Sequence, residues 1–190
     1  MMNFTPLFDS EHLKLTPIDI EKDAPIEAPW TVDPDYARPL AGGVQPQTVF
    51  SLKKIYADIR KRMDEQRDLI HFMLREVSDG RLLGYLRFED LFWSHQSACL
   101  VLRIANPADF QAYAAEALQL GLVYAFQEIN TYRLSVSFAE YEAAERRLFE
   151  GAGFIPELRL RESRFRQGRY WDMLTYTMLR PEWDQLKEIH

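Results

Sequence analysis

The sequence is poor in the residues that several kinds of chemistry require. Its 190 residues include one cysteine, Cys99, so no disulfide can form within the chain and a thiolate-ligated zinc site is excluded. The four histidines, His12, His71, His95 and His190, are scattered without metal-ligand spacing, and no metal site is expected. No Gly-x-Ser-x-Gly elbow and no Walker-type loop occurs. Positive charge is in deficit, with 23 Lys and Arg against 29 Asp and Glu and a net charge of −6, which argues against a nucleic-acid footprint. The longest apolar run, "LGLVYAF", is too short to cross a bilayer. The opening "MMNFTPLFDSEHLKL" lacks the basic stretch and apolar core of a secretory signal. Together these absences set the expectation of a soluble, cytoplasmic protein.

What is present suits a globular domain: 47% hydrophobic and 27% charged residues, in a chain long enough to bury a sizeable core as one domain. "HLKLTPI" (12–18) alternates as a first strand ended near Pro17. Residues 19–48, rich in Pro, Asp and Gly, read as a long loop of the kind that tends to be functional or mobile. Leu52, Ile55, Tyr56, Ile59 and Met63 recur at helical spacing. "LIHFMLREV" (69–77) and "LLGYLRFED" (82–90) flank the turn signal "SDGR", and "SACLVLRIA" (97–105) continues as a strand. A helix follows over about 111–128, then a strand at 132–138, a short helix within 140–154 closed by a Gly-containing turn, and two strands around "QG" at 167–168. This order predicts a mixed α/β domain with one central sheet.

Four strings give the chain a family likeness: "LFDSEHLKLTPI", "GRLLGYLRFED", "YAAEALQLGLVYAFQEINTYRLSVSF" and "AERRLFEGAGFIPE" with "RQGRYWDMLTYTMLRPEW", together spanning about residues 8–183. They resemble the GCN5-related N-acetyltransferases, and within them the branch that acetylates the N-termini of ribosomal proteins. The resemblance implies a single domain over 1–190, with a mostly antiparallel mixed sheet of about seven strands flanked by helices and a V-shaped cleft between the central strands. It divides the chain into a helical acceptor-side segment (19–66), a cofactor-side core (97–154) and a closing hairpin (155–180). Acetyl-CoA is implied as cosubstrate, its pantetheine arm on the main chain around Leu102 and Ile104. Its pyrophosphate is implied on the N–H groups of Ala112, Tyr113, Ala114 and Ala115, because a helix N-terminus offers donors and a partial positive charge. A homodimer and a primary-amine acceptor, either a protein N-terminus or a small molecule, are implied as well; DNA and membrane partners are not.

The sequence departs from the family pattern at chemically meaningful places. The family's loop of Arg or Gln, two variable residues, Gly, one variable residue, then Gly or Ala falls on Asp109, Ala112 and Ala114. Ala114 conforms, Ala112 replaces a glycine, and Asp109 sets a carboxylate where an anionic diphosphate would dock. A ligand-free reading of "NPAD" is a helix capped by Asn106 with Pro107 at its first position, or capped by Asp109 itself. Three family positions on the second helix hold Glu142, Glu145 and Phe149; the last stands where a family tyrosine protonates the departing thiolate, and beside the cofactor. Glu142, Glu145 and Glu89 are the candidate general bases, read against a plain solvated role.

Trp30, Tyr36, Phe92 and Trp93 are candidates for an aromatic acceptor wall, with Asp33, Asp35, Glu89 and Asp90 to attract an amine; core filling and solvated acids are the alternative. His71 reads as a packed strand residue and His95 as a loop residue near the acceptor mouth. Arg159, Arg161, Arg164, Arg166 and Arg169 read as a solvated face pairing with Glu157 and Glu162, or as a surface for an acidic partner. Two functions from different classes follow: an acetyl-CoA-dependent N-acetyltransferase, or a binding module that keeps the fold without its chemistry.

Overall fold

In Leu13–Thr16 (β1) the alternating leucines Leu13 and Leu15 face inward and the strand pairs antiparallel with Ile70–Glu76 (β2), Leu15 opposite Leu74. A computed structural model describes residues 7–37 and 45–189 of the chain. Residues 19–48, expected as a loop, instead carry local helix. Asp19 caps Ile20–Glu27 (α1) by accepting the Lys22 N–H, a 3-10 turn spans Ala28–Val32, and Pro34–Ala37 (α2) follows. Prolines 25, 29 and 34 make this stretch look unstructured, although Pro34 begins α2 and Pro29 sits second in the 3-10 turn. Asp35's side chain, His190 and residues 38–44 lie outside what is described.

Val49–Lys61 (α3) is the amphipathic helix the spacing predicts, capped by Thr48 and burying Leu52, Tyr56 and Ile59. The β2 turn to Leu82–Phe92 (β3) uses Gly80 at φ +74°, a left-handed position that favours glycine. Ser97–Ile104 (β4) alternates buried and half-buried residues along its whole length. Pro107–Val123 (α4) begins four residues before the expected start, because Asn106 accepts the Ala108 N–H at 2.8 Å and Pro107 fits the first turn. Arg133–Ala139 (β5), Ala143–Gly151 (α5), Ile155–Arg166 (β6), Arg169–Leu179 (β7) and Arg180–Ile189 (α6) complete the order. The Gln167-Gly168 turn between β6 and β7 has both residues at positive φ, as a two-residue hairpin demands.

The strands form one seven-stranded sheet in the order β1-β2-β3-β4-β5-β7-β6. β4 and β5 pair parallel, joined through α4, whereas β1–β2, β5–β7 and β6–β7 are antiparallel. Packing divides the chain into two compact units, Met1–Arg87 with Leu102–Leu120, and Phe88–Val101 with Gly121–His190; β3, β4 and α4 run through both. The first buries Leu13, Leu52, Tyr56, Met73, Leu86 and Leu118. The second buries Phe88, Phe126, Leu134, Val136, Phe138 and Met178, with Phe126 stacked on Trp183 at 5.0 Å. In the first unit, Gly84 lies so close to β4 that a Cβ there would fall 1.9 Å from the Arg103 carbonyl oxygen.

Candidate active site

The start of α4 is filled by side chains of its own chain. Of the first four helical residues, Pro107 has no N–H, Ala108 donates to Asn106 Oδ1, and Phe110 donates to the Asn106 carbonyl at 2.8 Å. The remaining one, Asp109, the third residue of the helix, carries a carboxylate held by Arg81 from the β2–β3 turn. Arg81 Nη1 donates to Oδ2 at 2.7 Å and Nη2 to Oδ1 at 3.1 Å, a bidentate pair. The same guanidinium donates to Glu76 Oε2 through Nη2 at 2.8 Å and Nε at 3.2 Å. Tyr113, one turn along α4, donates its hydroxyl to Glu76 Oε1 at 3.0 Å. The Arg81 and Tyr113 hydrogen bonds hold the Glu76 carboxyl below its usual range. One cation thus serves two carboxylates. Further along the same face, Glu116 accepts from the His12 N–H at 2.8 Å and faces its Nδ1 at 3.0 Å.

The four residues expected to cradle the pyrophosphate, Ala112, Tyr113, Ala114 and Ala115, lie in the second turn of α4, where N–H groups point back along the helical ladder. Ala112 and Ala115 are exposed and Ala114 is buried. Leu102 and Ile104 are buried on β4. Within the second unit, the β4–β5 register runs from Ser97–Arg133 to Cys99–Ser135 and stops there, so Leu100 and Val101 of β4 stand outside the ladder with Val136 and Ser137 of β5.

The candidate bases fall in different settings. Glu142 precedes α5, and its Oε2 accepts the Ala139 N–H at 2.6 Å while its own N–H donates to the Ala139 carbonyl, a reciprocal turn closure. Glu145 is half-buried in the first turn of α5. Glu89 sits on β3 near Cys99, whose thiol is pushed up by burial first and then by Asp90 and Glu89. Phe149 is buried, stacked on Phe138 at 5.7 Å and edge-on to Phe154 at 5.5 Å. Tyr141 packs edge-on against Trp171 with Arg166 over its face at 4.4 Å.

The acceptor-side candidates separate too. Trp30 meets Tyr36 edge-on at 5.6 Å, and Tyr36 is buried. Phe92 and Trp93 are exposed at the β3–β4 turn, where with Leu91, Gln96, Ser97, Ile129 and Thr131 they line a small notch. His95 is exposed in that turn. Sequence reasoning missed a buried polar cluster in the first unit. Glu27, 1% exposed, accepts the Tyr56 hydroxyl; Asp23, fully buried, pairs with Arg75 and accepts the Asp19 N–H at 2.8 Å. Burial holds the Glu27 carboxyl above its usual range, the Tyr56 hydrogen bond opposing it. His71, as expected a packed residue, stacks on Tyr85 at 4.9 Å and has its pKa lowered to about 3 by burial and by the Arg87 charge. Asp23 and Glu27 lie four apart on α1, a spacing that marks one helix face; their partners are too distant in sequence to be foreseen.

On the closing hairpin Arg159 finds partners other than those expected. Arg159 pairs with Asp172 and with Glu140 at 3.0 Å, and Glu157 pairs with Arg133. Arg169 stacks over Trp171. Among the described residues, no cluster of three or more metal-ligating side chains occurs, and no helix is long and apolar enough to cross a membrane.

Known proteins share this architecture. The acetyltransferase (GNAT) domain matches residues 12–155. The putative ribosomal N-acetyltransferase YdaF of Bacillus subtilis (strain 168) is 26% identical over 106 residues, spanning 56% of this chain and 58% of that protein. The N-acetyltransferase YnaD of the same organism is 25% identical over 141 residues, 73% of this chain and 80% of its own. Among solved structures, a probable acetyltransferase superposes with a TM-score of 0.78 at 22% identity, covering 92% of this chain and 96% of the other. Spermidine N-acetyltransferase from Vibrio cholerae, in complex with CoA and spermine, gives 0.78 at 19%, covering 92% and 99%. With β1 through α5 inside the matched span, the chain belongs to the GNAT family of acetyltransferases.

Proposed function

We propose that the protein is an N-acetyltransferase that moves an acetyl group from acetyl-CoA to a primary amine, a protein N-terminus or a small molecule, by direct attack. The amine nitrogen bonds to the thioester carbonyl carbon, the carbon–sulfur bond breaks, the nitrogen loses a proton and the thiolate leaves. Family membership supports this reading, and one observation carries it: the parallel β4–β5 ladder ends after Cys99–Ser135, which leaves β4 main-chain groups outside it to hold a pantetheine arm. In this reading the main chain around Leu102 and Ile104 binds that arm and supplies an N–H to the thioester carbonyl. Glu145 and Glu89 are the carboxylates assigned to proton removal, directly or through water; Glu142, also a candidate, already holds the Ala139 N–H.

The same reading includes a homodimer, supported by the exposed Ile155, Leu158 and Leu160 on the edge strand β6, and by a structural neighbour described as dodecameric. It places the protein in the cytoplasm, a compartment that suits a single free thiol. The test is thiol release from acetyl-CoA across a panel of primary amines and N-terminal peptides. Amine-dependent release that falls at least tenfold in Glu145→Gln or Glu89→Gln supports the reading. No amine-dependent release with any acceptor favours the second reading, a binding module, to which the carboxylate-bearing α4 start and the buried Phe149 lend weight.

A further inference from the structure

The α4 start does not fit a diphosphate. An anion gains at a helix N-terminus from unpaired N–H donors and from positive charge. Here Pro107 lacks a donor, Ala108 and Phe110 spend theirs on Asn106, and Asp109 places its carboxylate on the first turn. Arg81 is the cation of this network, and four of its contacts, two to Asp109 and two to Glu76, go to carboxylates. Glu76 and Asp109 against Arg81 leave the network with one negative charge in excess. Ala112 to Ala115 lie within the helical ladder rather than at its open end.

From this we infer that the protein recognises its acyl donor through the pantetheine thioester and does not read the nucleotide diphosphate. The substrate class is therefore acyl-pantetheine thioesters in general, with acetyl-CoA as one member. The inference rests on the acyltransferase reading above. It also accounts for how that chemistry survives the loss of the loop cation: the thioester is positioned by strand main chain, which no side-chain substitution removes. The diphosphate becomes a solvated tail. Its two negative charges, brought near Glu76 and Asp109, give no reward for the desolvation they would require.

The experiment is a calorimetric comparison on the full chain of acetyl-CoA, S-acetylpantetheine and adenosine 3′,5′-bisphosphate, each at low and high salt. Expected are dissociation constants for the two thioesters within threefold of each other, a change of less than threefold between 50 and 300 mM salt, and no competition by the nucleotide at millimolar concentration. Acetyl-CoA binding tenfold or more tightly than S-acetylpantetheine, or displacement by the nucleotide, overturns the inference. Binding by neither thioester overturns the acyltransferase reading itself, so the two failures are distinguishable. Asp109→Asn, which releases one carboxylate from Arg81, is expected to tighten acetyl-CoA severalfold and leave S-acetylpantetheine unchanged; equal effects on both would contradict the electrostatic argument.

Discussion

Replacing His71 with phenylalanine is expected to remove a large part of the protein's acid sensitivity. The imidazole is 2% exposed, stacked on Tyr85, with Nε2 against the Met73 sulfur at 3.3 Å and Nδ1 without a hydrogen-bond partner. Burial, then the Arg87 charge, depress its pKa from 6.5 to about 3. Because the folded pKa is depressed, the unfolded chain binds the proton more readily. The associated stability is therefore present above about pH 6.5 and is lost as pH falls toward 3. Between pH 7 and pH 5 the unfolded imidazole becomes almost fully protonated while the folded one stays neutral, which costs about 2 kcal/mol. Phenylalanine keeps the ring stack and cannot titrate. Urea unfolding of wild type and His71→Phe at pH 7, 6 and 5 reads the difference: the wild type loses about 2 kcal/mol more than the variant over this interval. Equal pH slopes for the two proteins would refute a buried neutral imidazole at this position.

Three further substitutions probe other parts of the structure. Glu27→Gln keeps an acceptor for the Tyr56 hydroxyl and removes a buried charge, so its melting temperature at pH 7 stays at or above the wild type. Glu27→Ala strands that hydroxyl and opens space, costing about 3 kcal/mol, which calorimetry reads as a fall of roughly 10 °C in a chain of this size. The folded Glu27 pKa is raised, so its stabilising effect is present below the unfolded carboxyl range and lost as pH rises through the folded value; Glu27→Gln should flatten that loss in a pH-melting series. Gly84→Ala drives a methyl into the Arg103 carbonyl and should lower stability by about 3 kcal/mol or more, measured by urea unfolding; a loss under about 0.5 kcal/mol would show that β3 and β4 can part there. Asp109→Arg sets a second cation against Arg81 and should destabilise, not repair, the α4 start, by about 1 kcal/mol given the part exposure of the pair.

Much of this fold could be read from local pattern. The "SDGR" and "QG" turns required residues at positive φ, and Gly80, Gln167 and Gly168 supply them. The alternation in "SACLVLRI" became a strand with alternating burial, and the α3 spacing became a helix with Leu52, Tyr56 and Ile59 inside. Segment 19–48 was less legible because its prolines mark both loops and helix starts, and the capping role of Asp19 was the available signal. At the candidate site, the Asn106 cap could be read because it is local. The Arg81–Asp109 pair could not, since it joins residues 28 apart whose approach depends on the sheet. The partner of a charged side chain is a tertiary fact. For the same reason Arg159 finds Asp172 and Glu140 instead of its sequence neighbours, and the acids of α1 turn inward to Arg75 and Tyr56.

The most direct test of the acyltransferase account is calorimetric titration of the purified protein with acetyl-CoA at pH 7. With the pantetheine arm bound and the diphosphate contributing little, a dissociation constant in the tens of micromolar is expected, about −6 kcal/mol. Absence of binding up to millimolar acetyl-CoA would contradict the account and leave a GNAT fold without its donor.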